Sequence, residues 1–534
     1  MSRNETNQLL KGALLLTAAG ILSKLLSAGY RIPLQNLTGD IGYYVYQQVY
    51  PILGIVMVLS LYGFPAAISK IRSETSGTAG VQTIRNFYFP LFLILVILNG
   101  SLFLFLFINA PNLARWIGDP ELVSTYHVTA IIFLFVPFLS LLRGSFQGEQ
   151  RMAPTAISQV TEQLIRVTLL ITAAIVISVK QLDIYEIGHA AAIASIVGAL
   201  AGTAVLFVLF MKDVPRSREK EIIEIPWNYY VRTMLLFGAV AALNHMVLLV
   251  IQFADTFTLL PGLIESGLAK QEAMEAKGVF DRGQPLIQLG TVLGSSFALA
   301  LLPTISQERL KQQPALFYQY MRGALLFSFY LALGATIGLV LIFREVNVLL
   351  FQNEQGTADL RLLVVSILLC SLSVTAASIL QGLGHVKRTA GFILGAFFIK
   401  WIANQLLVPP LGITGSALAT VLSLLLLCAV TLYELKRKLP KLNFMKVVNL
   451  RAMLTAIGAM IVYVLGMHAL LADLFQSSRW LLLLYVIFIA FTGGGLYLFC
   501  LLRFRAFNKS ELSMLPFSTY LLRFYKGREK NEQN

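Results

Sequence analysis

The sequence predicts an all-α, polytopic membrane protein of about fourteen transmembrane helices, set as two six-helix lobes plus two C-terminal helices. Three observations lead there. Of 534 residues, 57% are hydrophobic and only 13% are charged, and mean hydropathy is +0.73; soluble domains carry roughly 25% charged residues. Apolar runs of about 20 residues, the length a helix needs to cross hydrocarbon, recur along nearly the whole chain. Short strings also echo one another six helices apart. An alternating ten-residue pattern is absent from the sequence, which argues against a β-barrel.

Proline, glycine and charge clusters punctuate the hydropathy. In a first lobe, residues 1–220, helices are predicted near 8–36, 44–69, 83–109, 122–148, 154–179 and 184–211. The first apolar stretch runs straight into a full span, so no cleaved signal peptide is expected. That span carries Lys24 and then Arg31, about two turns apart on one face. An ionisable residue near mid-bilayer costs about 2.5–3.5 kcal/mol on insertion scales, so each demands a reason. Lys24 has no acidic residue within a turn or two along the chain, and is expected to line a polar cavity with Arg31. Arg143, near the inner end of the fourth span, is placed to snorkel to the cytoplasm. Glu162 and Arg166 stand at i, i+4 in the fifth span, the spacing of a structural ion pair.

A second lobe, residues 221–440, is predicted to hold helices near 229–255, 283–308, 316–343, 360–382, 387–408 and 412–437. Asn244, Gln252 and Asp255 make its first span unusually polar. The outward loop 256–282 is expected to form a short amphipathic helix or a flap, and Arg282 opens the next span. Lys400 precedes Asn404 by one helical turn in the eleventh span. Helices near 447–472 and 479–503 form a segment at 441–505. The tail 506–534 mixes Leu, Phe and Tyr with Arg and Lys and is expected to lie along the inner membrane surface.

The net charge of +15 is unevenly spread. With the N-terminus in the cytoplasm, most Lys and Arg fall on inward segments, while outward segments are acidic in balance. Positive charge resists translocation, so both termini are expected in the cytoplasm of a multi-pass cell-membrane protein. The charge is then a skirt facing anionic lipid, not a nucleic-acid footprint. Tyr43, Tyr44, Tyr46, Trp116, Trp227, Tyr229, Tyr230 and Trp480 fall at span ends, as an aromatic belt would. Cys370, Cys428 and Cys500 lie in apolar runs without metal-ligand spacing or a disulfide framework.

Gln147-Gly148 and Thr155-Ala156 are echoed by Gln381-Gly382 and Thr389-Ala390, each pair 234 residues apart. "FPAAIS" at 64–69 resembles "LPTIS" at 302–306, and "GHAAAIAS" at 188–195 resembles "GSALAT" at 415–420. An offset of six helices leaves both halves in the same orientation, a parallel repeat able to form a central cavity and rock around it.

The candidate cavity charges Lys24, Arg31, Arg282 and Lys400 are cationic and suit an anionic cargo. A diphosphate carries about two negative charges, which Arg and Lys bind through charge-assisted hydrogen bonds. No nucleotide loop, metal cluster or catalytic set is legible, so neither a cofactor nor an enzymatic reaction is expected.

At "GILSKLLSAGYRIPL" (20–34), "GFPAAISKI" (63–71), "LLRGSFQGEQRMAPTAISQVTEQLIR" (141–166), "ALLPTIS" (300–306) and "LQGLGHVKR" (380–388), the chain resembles the multidrug/oligosaccharidyl-lipid/polysaccharide exporter superfamily. Within it, the chain is most similar to the polysaccharide-biosynthesis branch, which holds stage V sporulation protein B-like proteins and lipid II flippases. The resemblance implies a V-shaped pair of lobes and a flippase working by alternating access as a monomer. Its cargo would be a polyprenyl-linked glycan lipid, an undecaprenyl-pyrophosphate-linked saccharide such as lipid II. It assigns Lys24 and Arg282 to the cavity, with Arg31, slightly displaced, and Lys70 at the family's further basic positions. It also implies ion coupling, to Na+ or H+, at Asp255 and Asn404. The rival readings are a cation-coupled multidrug antiporter, a membrane-embedded saccharide polymerase and a non-transporting scaffold for cell-wall assembly.

Overall fold

The computed structural model describes residues 3–75, 87–213, 226–301, 310, 312–442, 444, 448–475 and 478–512. Among them there are helices and no strands. Twelve helical stretches are long and apolar enough to cross a membrane. One of these, Leu15–Glu74, is 60 residues long. It would extend about 90 Å as a straight helix against about 30 Å of hydrocarbon. It holds the first two predicted spans. The predicted eighth span corresponds to a helix at Gly283–Leu301; residues 302–309 lie outside the described residues. The sequence echo at 302–306 and the tail beyond Leu512 also lie outside them.

Large apolar side chains remain uncovered where lipid would meet them. On Phe89–Ile117, Ile97 and Ile108 are 61% and 69% exposed. Exposed apolar surface on this scale is untenable in water and ordinary in a bilayer. The chain is a polytopic all-α membrane protein.

Packing groups the chain into two units, residues 1–285 with 386–423, and 286–385 with 424–534. This grouping follows proximity, whereas the lobes expected at 1–220 and 221–440 follow the repeat; the two divisions answer different questions. In the second unit Phe317, Met321, Leu380 and Leu435 belong to one apolar core. There the Tyr497 hydroxyl donates to the Tyr330 carbonyl at 2.9 Å. In the first unit, α1 (Arg3–Gly29) leads into α2 (Arg31–Val58), a π-turn at Leu59–Gly63 and α3 (Phe64–Thr75). Then come α4 (Phe89–Ile117), α5 (Leu122–Ala130), α6 (Val136–Gly148), α7 (Ala153–Lys180) and α8 (Glu186–Asp213).

The repeat is written in the backbone. After α6, the Gln150 and Arg151 N–H groups bond the Gln147 and Phe146 carbonyls. After the helix Ser366–Gly382, the Gly384 and His385 N–H groups bond the Gln381 and Leu380 carbonyls, each 234 positions on. Gln150 and Gly384 both take positive φ, 62° and 86°. Gly118 and Gln352 form a second such pair, at 85° and 65°. Helix breaks at Ala130/Ile131 and Val364/Val365 keep the same offset.

The segment expected as one span and a loop departs from expectation. α9 (Trp227–Arg232), a π-turn and α10 (Ala239–His245) end at Met246, and α11 (Val247–Glu265) carries on well past residue 255. Thr256–Glu265 is therefore helix, because the run stays apolar as far as Ile264. The amphipathic helix expected in the remainder is present as α12 (Lys270–Asp281), and it packs along α2. The belt also needs correcting. Trp116, Trp227 and Trp480 are exposed, but Tyr43, Tyr44, Tyr46 and Tyr230 are buried, the first three having packing and hydrogen-bonding work inside the first unit.

Candidate functional site

The polar interior of the first unit is built where α2 meets α7, α11 and α12, and where α11 meets α18 (Val386–Leu411) and, through Asp255 and Ser416, α19 (Ile413–Lys438). The labels α13 to α17 pass to Gly283–Leu301, Pro314–Leu341, Phe343–Phe351, Thr357–Val364 and Ser366–Gly382.

Arg31 opens α2 directly after the break at Tyr30, and Pro33 sits in the first turn, where its missing N–H costs nothing. The Arg31 side chain is fully buried, with its guanidinium carbon 3.8 Å from the centre of the Tyr50 ring. Nε and both Nη atoms lack a hydrogen-bond partner among the described residues. Tyr43, Tyr46 and Tyr50 stand one turn apart on α2, Tyr43 stacked on Tyr46 and Tyr50 tilted against it, and the Tyr30 and Tyr46 hydroxyls bond each other. Beside this box is a small pocket lined by Ser27, Tyr30, Tyr46, Tyr50, Met57 and Arg166, among others.

Glu162 and Arg166 form the pair their spacing predicts, at 2.5 Å. A third partner joins them: Arg143 Nη2 lies 2.8 Å from the other Glu162 oxygen, and its Nε donates to Ser158 Oγ at 3.1 Å. Arg143 therefore does not snorkel; it is fully buried, since a carboxylate within reach is a better partner than a distant surface. Arg143 and Arg166 thus share the single carboxylate of Glu162.

Arg282 does not stand open to a cavity. It caps α12 and grips Asp40, with Nε 2.7 Å from Oδ1 and Nη2 on Oδ2, while Gln35 donates to Oδ1 at 3.0 Å. Two glycines make this possible. Gly39 breaks α2 at φ 68°, ψ −174°, a conformation essentially confined to glycine. Gly278 lets the α12 backbone press on the Asp40 carbonyl where any Cβ would clash. Beside them Lys277 bonds Asp281 at 2.8 Å, and Asp281 lies within electrostatic reach of Asp255 and Arg31.

Lys400 and Asp255, read separately in the sequence, meet as a buried pair at 2.7 Å. Lys400 Nζ also donates to the Ser416 carbonyl and hydroxyl at 2.8 and 2.9 Å and to Thr420 Oγ1 at 2.7 Å. Asn404 Nδ2 bonds Asp255 Oδ1 at 2.8 Å and Thr258 Oγ1 at 2.7 Å. Lys24 is half-buried on α1 and within electrostatic reach of His245, whose ring stacks on Tyr62. Of the four expected cavity cations, Arg31 packs against Tyr50 in the pocket wall, while Arg282 and Lys400 are engaged by carboxylates.

Comparison with known proteins agrees with this architecture. An uncharacterized membrane protein of Bacillus subtilis, YabM, is 36% identical over 98% of this chain and 97% of its own length. The polysaccharide biosynthesis protein family matches residues 9–308. The chain belongs to that family. With it comes membership of the multidrug/oligosaccharidyl-lipid/polysaccharide exporter superfamily. Another relative is the lipid II flippase MurJ of Bacillus subtilis, 24% identical over 93% of this chain and 95% of the relative. A solved lipid II flippase MurJ, in an inward closed conformation, superposes with a TM-score of 0.65 at 12% identity, covering 91% of this chain and 98% of that one. At that identity the likeness shows the fold alone.

Sequence reasoning missed Asp40, Tyr30, Tyr50, Ser416 and Thr420. Ser416 and Thr420 had a signal: they stand one turn apart in "GSALAT", and Lys400 and Asn404 stand one turn apart in the preceding helix. Asp40 had none, because its partner is 242 positions away.

Proposed function

We propose that this protein is a flippase, which moves an undecaprenyl-pyrophosphate-linked saccharide such as lipid II across the cytoplasmic membrane by alternating access. Both termini face the cytoplasm in this reading, and the protein carries out no covalent chemistry. The observation that carries it is Arg31, buried against the Tyr50 wall of the pocket with no hydrogen-bond partner for its nitrogens among the described residues, while Arg166 lines the same pocket. A buried guanidinium without hydrogen-bond partners is costly in a bilayer, and marks a place for an anion. Arg31 and Arg166 would meet the roughly two negative charges of a diphosphate there.

In this mechanism the surrounding helices part to admit the headgroup, Arg31 and Arg166 take the diphosphate oxygens, and Lys24 draws the headgroup in from the α1 side. Tyr30, Tyr46 and Tyr50 supply hydroxyls and ring faces for the saccharide-bearing end. The polyprenyl chain stays in lipid. The rival drug-antiporter reading needs an unpaired membrane carboxylate, and Asp255 is neutralised by Lys400.

Binding tests the reading directly. Undecaprenyl diphosphate should raise the melting temperature of the purified protein, and uncharged undecaprenol should not. Arg31→Gln should weaken that binding about tenfold or more, the loss of a charge-assisted bond. Equal stabilisation by both lipids would overturn the pocket assignment.

A further inference from the structure

Lys400 Nζ is surrounded as a metal ion would be. Four oxygens stand 2.7 to 2.9 Å from it: Asp255 Oδ1, the Ser416 carbonyl, Ser416 Oγ and Thr420 Oγ1. They come from two helices, α11 and α19, the lysine itself stands on a third, α18, and all the side chains are buried. One carboxylate, one carbonyl and two hydroxyls form a hard-oxygen set of the kind that suits alkali and alkaline-earth cations. An ammonium has three N–H donors and no acceptor, so it can fill such a shell as a cation of fixed charge. Two further buried acceptors at the same place, Asp255 Oδ2 and Asn404 Oδ1, have no hydrogen-bond partner among the described residues.

We propose that the Lys400 ammonium is a tethered substitute for a monovalent cation, and that removing it uncovers a sodium site formed by Asp255, Ser416, Thr420 and Asn404. The wild-type protein is then built to hold these three helices together without a free ion. Residence is permanent, because the charge is attached to α18. Truncating the side chain leaves the oxygen shell, the carboxylate charge and the two idle acceptors with room for an ion and its remaining water. This inference concerns the helix junction alone and stands whatever the cargo of the pocket.

The test is melting temperature and 22Na+ binding of the purified full-length protein in detergent, in NaCl against choline chloride at equal ionic strength. Wild type should melt at the same temperature in both salts and bind no 22Na+. Lys400→Ala should bind 22Na+ saturably and melt higher in NaCl, and Lys400→Ala with Asp255→Asn should lose both responses. Lys400→Met, which fills the space with an uncharged chain, should bind at least tenfold more weakly than Lys400→Ala. A sodium response in wild type would overturn the proposal. So would a Lys400→Ala protein that folds yet ignores sodium, or one that sodium cannot help to fold, because in each case the ion fails to replace the ammonium.

Discussion

The guanidinium carbon of Arg31 lies over the Tyr50 ring, 3.8 Å from its centre, and none of the guanidinium nitrogens has a hydrogen-bond partner among the described residues. The ring face supplies some attraction, about 2 kcal/mol for a desolvated pair, but far less than burial of the charge costs. Arg31 is therefore a stability liability kept at a polar pocket. Arg31→Met should raise thermal stability in detergent, by about 1–4 kcal/mol, and should abolish transport. A melting scan checks the first half; an unchanged or lower melting temperature would show that Arg31 is already satisfied.

Glu162 balances two arginines at once, so its removal should be felt beyond a single pair. Glu162→Gln should destabilise by about 3–5 kcal/mol, since it strands buried charge. Adding Arg143→Met should recover part of that loss, a coupling readable from a double-mutant cycle in chemical or thermal unfolding. Simple additivity of the two would contradict the shared-carboxylate geometry.

Gly278 and Gly391 make an internal comparison. A Cβ on Gly278 would drive into the Asp40 carbonyl, whereas one on Gly391 meets nothing within 4 Å. Gly278→Ala should cost about 1–3 kcal/mol or more from overpacking and disturb the Arg282–Asp40 grip. Gly391→Ala should be neutral or mildly stabilising, because alanine is the better helix former. Paired melting curves decide it.

Tyr185 lies in the turn before α8, outside the membrane-crossing stretches, with its hydroxyl donating to Asp119 at 2.8 Å. Burial, and then the hydrogen bond to that carboxylate, push the phenol above its ordinary value of 10.0. The folded state thus keeps a proton that the unfolded chain releases near pH 10, so this contribution to stability is present below that pH and is lost as pH rises above it. Tyr185→Phe should flatten the fall in melting temperature above pH 10. An identical slope in the two proteins would count against the assignment.

Hydropathy made the spans readable because a bilayer imposes one length and one polarity on every crossing. Predicted helices at 412–437 and 479–503 thus fall within a residue or so of Ile413–Lys438 and Arg479–Arg503. Local pairs were equally legible: Glu162 and Arg166 are one turn apart, so the helix alone brings them together. The site was only half legible. Arg282 depends on Asp40 and Lys400 on Asp255, and no local period connects residues on distant helices. Tyr43, Tyr44 and Tyr46 were misread for another reason. A tyrosine anchoring at the headgroups and one packed around a buried charge look alike in sequence, since both follow from an apolar ring with a polar tip.

The most direct measurement is the exposure of lipid II on the outer face of bacterial cells depleted of their own flippase, probed with an enzyme that cleaves only external lipid II. Cells expressing this protein should regain external lipid II, and cells expressing an equally abundant Arg31→Gln protein should not. External lipid II that fails to return with the wild type would contradict the flippase reading. Return with Arg31→Gln at the wild-type rate would instead contradict the placement of the diphosphate at Arg31.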